Sequence, residues 1–251
     1  MSSTNITIIT LPKSHPDPSK FHHLTTTYKS FRLLSLRLSP ESFGSTYARE
    51  AAFPWETWTS RLKNPLATTV VAYESPSLHP NPALDDEIIP EGVPVESEGL
   101  DAAMSAEWLA HLTIIGPLDP SSLATSLHLD SDLVDFGPAH AADKPNRQYV
   151  LNGMYVVPSA RGNKLGRQIM EYVKDLVASE AKSHGQNARV SLIVDYDNVP
   201  ARKTYERSGF EVVHRYWFDD YREGRDARTE AAVMMLDLDG EGAKHVTDNN
   251  S

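Results

Sequence analysis

Residues 156–167 read Val-Val-Pro-Ser-Ala-Arg-Gly-Asn-Lys-Leu-Gly-Arg, and no other stretch of the chain is as well suited to holding an anion. Gly162 and Gly166 let the backbone come close to a ligand. If a helix begins here, the unbonded N–H groups of its first turn point at the same place. Arg161, Lys164 and Arg167 add positive charge. A phosphate-bearing guest fits that combination. The same glycines and arginine also suit a tight strand-to-helix turn that binds nothing. Two common phosphate loops are excluded by spacing: no Gly-Lys-Ser/Thr follows to complete a P-loop, and the two glycines do not form G-x-G-x-x-G.

Tyr205 is the second residue of interest. It lies on a short amphipathic stretch, four residues after Ala201 and five before Phe210. At that spacing it reads as a tyrosine on the buried face of a helix. Candidate bases are scattered: Glu107, His111, Asn152 and Asp195 on or near strands, and Glu50 and Glu56 on helical stretches. Histidine has the suitable intrinsic pKa, but none of these stands out. The chain has no cysteine, so disulfides and thiolate ligands are absent. Its ten histidines show no spacing with carboxylates that marks a metal site, and no metal is expected. No G-x-S-x-G elbow occurs, so direct transfer without a covalent intermediate is the natural chemistry for any group it moves.

Positioning these residues requires particular elements. Residues 149–157 form an apolar run that reads as a strand feeding the turn. After the turn, Leu165, Ile169, Tyr172, Val173, Leu176 and Val177 make a helical stripe. The helix ends near Gly185, a plausible C-terminal cap. Residues 188–194 read as a buried strand. Asn198 and Pro200 then open a helix, as cap and first-turn residue, which stops at Gly209. Extended segments follow at 210–218 and 231–238. Upstream, 31–38 reads as a first strand, 40–52 and 54–62 as two short helices, and 68–73 and 108–115 as strands. The order is β-α-α-β-β-β-α-β-α-β-β.

Two segments in that order resemble the GNAT superfamily of acetyl-CoA-dependent N-acetyltransferases. Arg161-Gly162-Asn163-Lys164-Leu165-Gly166 is similar to its pyrophosphate motif, often written Q/R-x-x-G-x-G/A. Residues 198–210, Asn-Val-Pro-Ala-Arg-Lys-Thr-Tyr-Glu-Arg-Ser-Gly-Phe, are similar to its N-x-x-A-x-x-x-Y-x-x-x-G-F segment. Lys164 departs from the pattern, standing where the family usually has a glycine. The resemblance implies an α/β GNAT fold: a mixed central sheet of about seven strands, flanked by about four helices, with two long loop insertions.

The resemblance also implies a site. Acetyl-CoA, as co-substrate, would lay its pantetheine arm along Met154, Tyr155 and Val156. The Val156 N–H would face the thioester oxygen. The pyrophosphate would rest on Arg161, Gly162, Asn163, Lys164, Leu165, Gly166 and Arg167. Asn198 would hydrogen-bond the arm, with a plain helix cap as its other reading, and Ala201 would lie beside the cofactor. Tyr205 would act as the general acid toward the leaving thiolate. Residues 43–62, with Tyr47, Arg49, Glu50, Phe53 and Trp58, would border the acceptor. The implied activity is N-acetylation of a primary amine, on a small molecule rather than a protein. The alternatives are a protein lysine or N-terminal acetyltransferase and a non-catalytic acyl-CoA-binding module.

Length and composition set the frame. The 251 residues suit one domain, expected at 21–239, between a polar arm at 1–20 and a polar tail at 240–251. Residues 75–105 are rich in proline and acids and read as a flexible spacer. Residues 117–148, with Leu123, Leu127, Leu129, Leu133, Val134 and Phe136, read as a partly folded lid. The net charge of −10 argues against a nucleic-acid partner. It suits simple solubility, and also cationic acceptors such as polyamines, aminated sugars or basic peptides. No long apolar run points to a membrane, and the first residues lack a signal pattern. A cytoplasmic location is expected, with nuclear entry left open, as a monomer or homodimer.

Overall fold

The computed structural model describes residues 5–75, 95–134, 146–222 and 225–238. Within them, seven strands form one open sheet: β1 (Asn5–Thr10), β2 (Ala67–Ser75), β3 (Trp108–Leu118), β4 (Asn146–Val156), β5 (Asn187–Asp195), β6 (Glu211–Asp219) and β7 (Arg228–Leu238). Their order across the sheet is β1-β2-β3-β4-β5-β7-β6. Every neighbouring pair is antiparallel except β4 and β5. The described residues hold seven α-helices: α1 (Pro18–Leu38), α2 (Tyr47–Ala51), α3 (Trp55–Lys63), α4 (Val95–Ser105), α5 (Pro120–Leu127), α6 (Leu165–Ser183) and α7 (Val199–Arg207). This is a mixed α/β architecture with the seven strands expected and more helices than the four expected.

The N-terminal third differs from the sequence reading. Residues 31–38, expected as a strand, are the last turns of α1. The physical reason is periodicity over a longer window. Phe21, Leu24, Tyr28, Phe31 and Ser35 are buried at alternating spacings of three and four, which only a helix places on one face. Asp17 starts that helix by accepting the Ser19 N–H at 2.8 Å, with Pro18 in the first turn. The missing first strand lies upstream, inside the stretch expected as a polar arm. Asn5–Thr10 pairs with β2 from Asn5↔Ser75 to Thr10↔Val70. Its β-branched Ile-Thr-Ile-Ile run is the local cause.

Both insertions contribute to the packed structure. Residues 76–94 lie outside the described residues, but Val95–Ser105 is the helix α4, not a spacer. Leu100 and Ala103 join the core, and Trp108 Nε1 donates to the Ala103 carbonyl at 2.8 Å. In the second insertion, Asp119 caps α5 by accepting the Ser122 N–H at 2.9 Å. Leu123, Ala124 and Leu127 pack on Val150 and Val233. The neighbours of those two valines, Tyr149, Leu151, Ala232 and Met234, belong instead to the main core with Ile169 and Val173 of α6. Alternation along a strand therefore puts α5 and α6 on opposite faces of the sheet. Residues 135–145, including Phe136, lie outside the described residues. The tail at 240–251 does too.

Candidate active site

The sheet parts at its parallel seam. β4 and β5 pair from Asn146↔Asn187 to Val150↔Ser191 and no further, although β4 runs on to Val156 and β5 to Asp195. A bulge in β4 accompanies the parting. Thr113 pairs with Asn152 and His111 with Tyr155, so three steps on β4 face two on β3. Gly153 absorbs the extra residue at φ 62°, a left-handed conformation that favours glycine. His111 holds the bulge, with Nδ1 3.0 Å from the Gly153 carbonyl. Since a carbonyl only accepts, Nδ1 carries the proton and Nε2 accepts from the Thr113 hydroxyl at 3.3 Å. Burial depresses His111 to about 4, so the ring is neutral at pH 7.

The open edge of β4 presents backbone groups to the gap. Val157 N–H donates to Leu109 of β3 at 2.9 Å, so the alternating Val156 N–H and carbonyl face the other edge, where β5 has left. Tyr155 instead turns its backbone to β3, and its ring packs against Phe31 and Phe43. Arg161 does not reach outward as the sequence reading expected. Its Nε donates to the Val156 carbonyl at 3.0 Å and its Nη2 to Ser39 Oγ at 2.9 Å. It braces the turn against β4 and the end of α1.

The turn itself delivers α6 to the gap. Gly162 has φ 84° and Lys164, the residue before the helix, has φ 62°. Lys164 thus occupies the conformation that a glycine adopts freely, which is the physical meaning of its departure from the pattern. Arg167 N–H turns back to the Lys164 carbonyl at 3.0 Å, leaving the donors of Leu165 and Gly166 at the helix start for an anion. Gly166 allows the close approach of three elements. A Cβ there would meet Met154 Cε at 3.2 Å and Thr204 and Val156 methyls at 3.7 Å. That is the fit expected of a cradle for a thin, extended cofactor arm.

Tyr205 sits on α7 at the far wall of the gap. Asn198 caps this helix by accepting the Ala201 N–H at 3.3 Å, so the plain cap role is present. The Tyr205 ring packs edge-on to Phe210, with centroids 5.9 Å apart. Burial pushes its phenol well above the ordinary value, so it is protonated at any physiological pH. One continuous cavity of about 1620 Å³ joins these parts. Of the cofactor-site residues expected from sequence, Asn163 alone does not line it, and none of Tyr47, Arg49, Glu50, Phe53 and Trp58, expected to border the acceptor, lines it either.

The opposite end of the cavity is formed by α1, α3, β3 and the loop after β6. Arg32 and Arg61 both grip Glu50, at 2.7 Å each. Burial opposes the charge on Glu50, but the two guanidiniums outweigh it and hold the carboxyl down at about 2. Asp195, at the end of β5, accepts from Arg222 at 2.7 Å and from Arg225 at 3.4 Å. Arg222 also clasps Asp220 and donates to the Glu41 carbonyl at 3.2 Å. That contact straps the β6–β7 loop to the turn after α1. The scattered acids and histidine of the sequence reading are therefore committed to structure, and Glu107 and Glu56 do not line this cavity. Arg32, Arg61 and Arg222 were missed. Arg32 had a signal, since it falls four residues after Tyr28 on α1, but only once that helix is recognised. Among the described residues, no group of three metal-ligating side chains occurs and no helix is long and apolar enough to cross a membrane.

Comparison with known proteins accords with this geometry. Residues 100–210 match the model of the acetyltransferase (GNAT) family, which spans the gap, the turn and the Tyr205 helix. No curated protein sequence matches at a significant level. Among solved structures, NAA60 of Arabidopsis thaliana in complex with acetyl-CoA superposes with a TM-score of 0.53 at 14% identity, covering 93% of this chain and 98% of that one. A GNAT-family acetyltransferase of Streptococcus pneumoniae gives 0.53 at 11% identity, covering 93% and 100%. yncA of Salmonella typhimurium with acetyl-CoA gives 0.50 at 13% identity, covering 97% and 99%. At these identities the likeness is one of fold.

Proposed function

The chain carries an acetyltransferase domain of the GNAT family, and from that premise we propose that it moves an acetyl group from acetyl-CoA directly to the primary amine of a small molecule. Acetyl-CoA supplies an activated acyl group on a thiol leaving group. The N–H groups at the start of α6, with Lys164 and Arg167, hold the pyrophosphate. Gly166 keeps the path along Met154 and Val156 clear. The gap-facing Val156 N–H donates to the thioester oxygen as negative charge builds on it. Tyr205 presents its hydroxyl to the departing sulfur, and its raised pKa keeps that proton in place until charge develops.

The amine must arrive neutral, because an alkyl ammonium has a pKa of about 10 and no lone pair. The candidate bases expected from sequence near the acceptor end are not free to take that proton. His111 is depressed to about 4 and clamped to Gly153, Glu50 is held at about 2, and Asp195 is doubly ion-paired. The proton therefore leaves through water.

The observation that carries the small-molecule reading is the strap from Arg222 to the Glu41 carbonyl. It ties together the two segments between which a polypeptide acceptor would lie. A panel of small primary amines and of peptides with a free N-terminus or lysine tests this, with acetylated product measured by mass spectrometry. Small amines are expected to outpace every peptide in kcat/KM. A peptide acceptor that wins by tenfold or more in that ratio (about 1.4 kcal/mol) would place the chain among protein acetyltransferases instead.

A further inference from the structure

The acceptor end of the cavity carries a charge that its surroundings do not balance. Arg32 and Arg61 line the cavity, whereas Glu50, their shared partner, is 1% exposed and lies behind them. Two guanidiniums thus face one carboxylate. The neighbouring wall adds nothing to offset them: Tyr28, Asn64, Thr69, Thr113 and Asn152 are uncharged, and His111 is neutral. One net positive charge remains at the inner end of a protein whose overall charge is −10. A cationic acceptor is repelled there, and an anionic group is drawn in.

Geometry adds direction to the charge. Glu50 takes Nε and Nη2 of Arg32, at 3.2 and 2.7 Å. The remaining nitrogen, Nη1, makes no hydrogen bond to the described residues and lies 4.0 Å from where a Cβ on Gly153 would sit. It is therefore beside the β4 bulge, next to the acyl end of the gap. Arg61 gives Nη1 to Glu50 and also hydrogen-bonds the Tyr28 hydroxyl, which leaves part of its fork free. Both guanidiniums are fixed by stacking, Arg32 over Phe43 at 4.5 Å and Arg61 over Trp58 at 5.0 Å. A guanidinium held still with unspent planar donors is a preorganised receptor for a carboxylate.

We propose that Arg32 and Arg61 bind a carboxylate of the acceptor, so that the substrates are amino carboxylates presenting their amine to the gap. The unbalanced charge of one matches a carboxylate more closely than a phosphate monoester. This rests on the acetyl-transfer reading above, and the experiment separates the two. Glycine, β-alanine and 4-aminobutyrate are compared with their amides and with phosphoethanolamine in thiol release from acetyl-CoA. The best acid is expected to exceed its amide by about tenfold or more in kcat/KM, the size of one charge-assisted pair, and Arg61→Gln is expected to erase that preference through KM. Equal rates for acids and amides, or a preference for the phosphate, overturn the proposal and leave acetyl transfer standing.

A binding arm needs no turnover and no variant. The N-acetyl derivative of each acid and of its amide is titrated into CoA-saturated protein by calorimetry. Tighter binding of the acids without any turnover keeps the carboxylate site and removes the acetyl-transfer reading. Equal binding, without turnover, removes both.

Discussion

Tyr205 and His111 are both buried and both shifted, with opposite consequences. Desolvation raises the phenol and so preserves a proton donor, while it lowers the imidazole and so removes a base. In the proposed reaction Tyr205 is the acid near the leaving group, and His111 is not the base near the amine. Tyr205→Phe is expected to lower kcat about a hundredfold, in line with loss of one proton donor, with acetyl-CoA affinity by calorimetry nearly unchanged. An unaltered kcat in a folded variant would return Tyr205 to a packing role. A second consequence concerns pH. With the proton leaving through water, kcat/KM should keep rising with pH toward the pKa of the amine itself. A plateau near neutrality would reveal a titrating base and contradict proton release through water.

At the scale of elements, the site is made where β4 and β5 separate, and each wall is brought there by a different device. The bulge at Gly153 turns β4, Gly166 seats α6, Asn198 caps α7, and Arg222 draws the β6–β7 loop over the acceptor end. The Arg222 guanidinium is nearly enclosed, and Asp220 beside it is almost fully buried. Arg222→Met is expected to cost about 3 kcal/mol by removing the closest cationic partner of Asp195 and of the buried Asp220, read as a lower denaturant midpoint. It should also raise KM for small amines as the loop lifts; an unchanged midpoint and KM would mean that the strap neither stabilises nor encloses. Much of this was legible. The turn at 161–167 and the 198–210 segment carry their chemistry in consecutive residues, and short spacing is what sequence displays. The acceptor end was not legible, because Arg32, Glu50 and Arg61 come from three helices, and Arg222 meets Glu41 from 181 residues away. The first strand was misplaced for a related reason. Eight apolar-rich residues at 31–38 cannot distinguish strand from helix, and only the pattern reaching back to Phe21 does.

For the whole molecule, charge is distributed against its total. The chain is acidic, yet seven arginines and lysines line the cavity against four carboxylates. The acidic surface therefore speaks to solubility, and the basic cavity to anionic ligands. The buried groups also set an acid limit on the fold. His111 binds its proton near 4 when folded and near its ordinary 6.5 when unfolded, so stability is lost as pH falls from 6.5 toward 4. Glu50, near 2 when folded, adds a further loss below its ordinary 4.5. Denaturant unfolding should show a drop of roughly 2 kcal/mol between pH 7 and pH 5 from His111 alone, largely absent in His111→Gln. A His111→Gln protein with the same slope would place the titrating group elsewhere. The claim on which all of this depends is transfer of an acetyl group from acetyl-CoA to an amine. Thiol release by the wild-type chain, measured together with N-acetylated product, tests it most directly. The account predicts saturable release that requires a primary amine, with one thiol formed for each acetylated amine. Tight acetyl-CoA binding without amine-dependent release, for any acceptor, would contradict it.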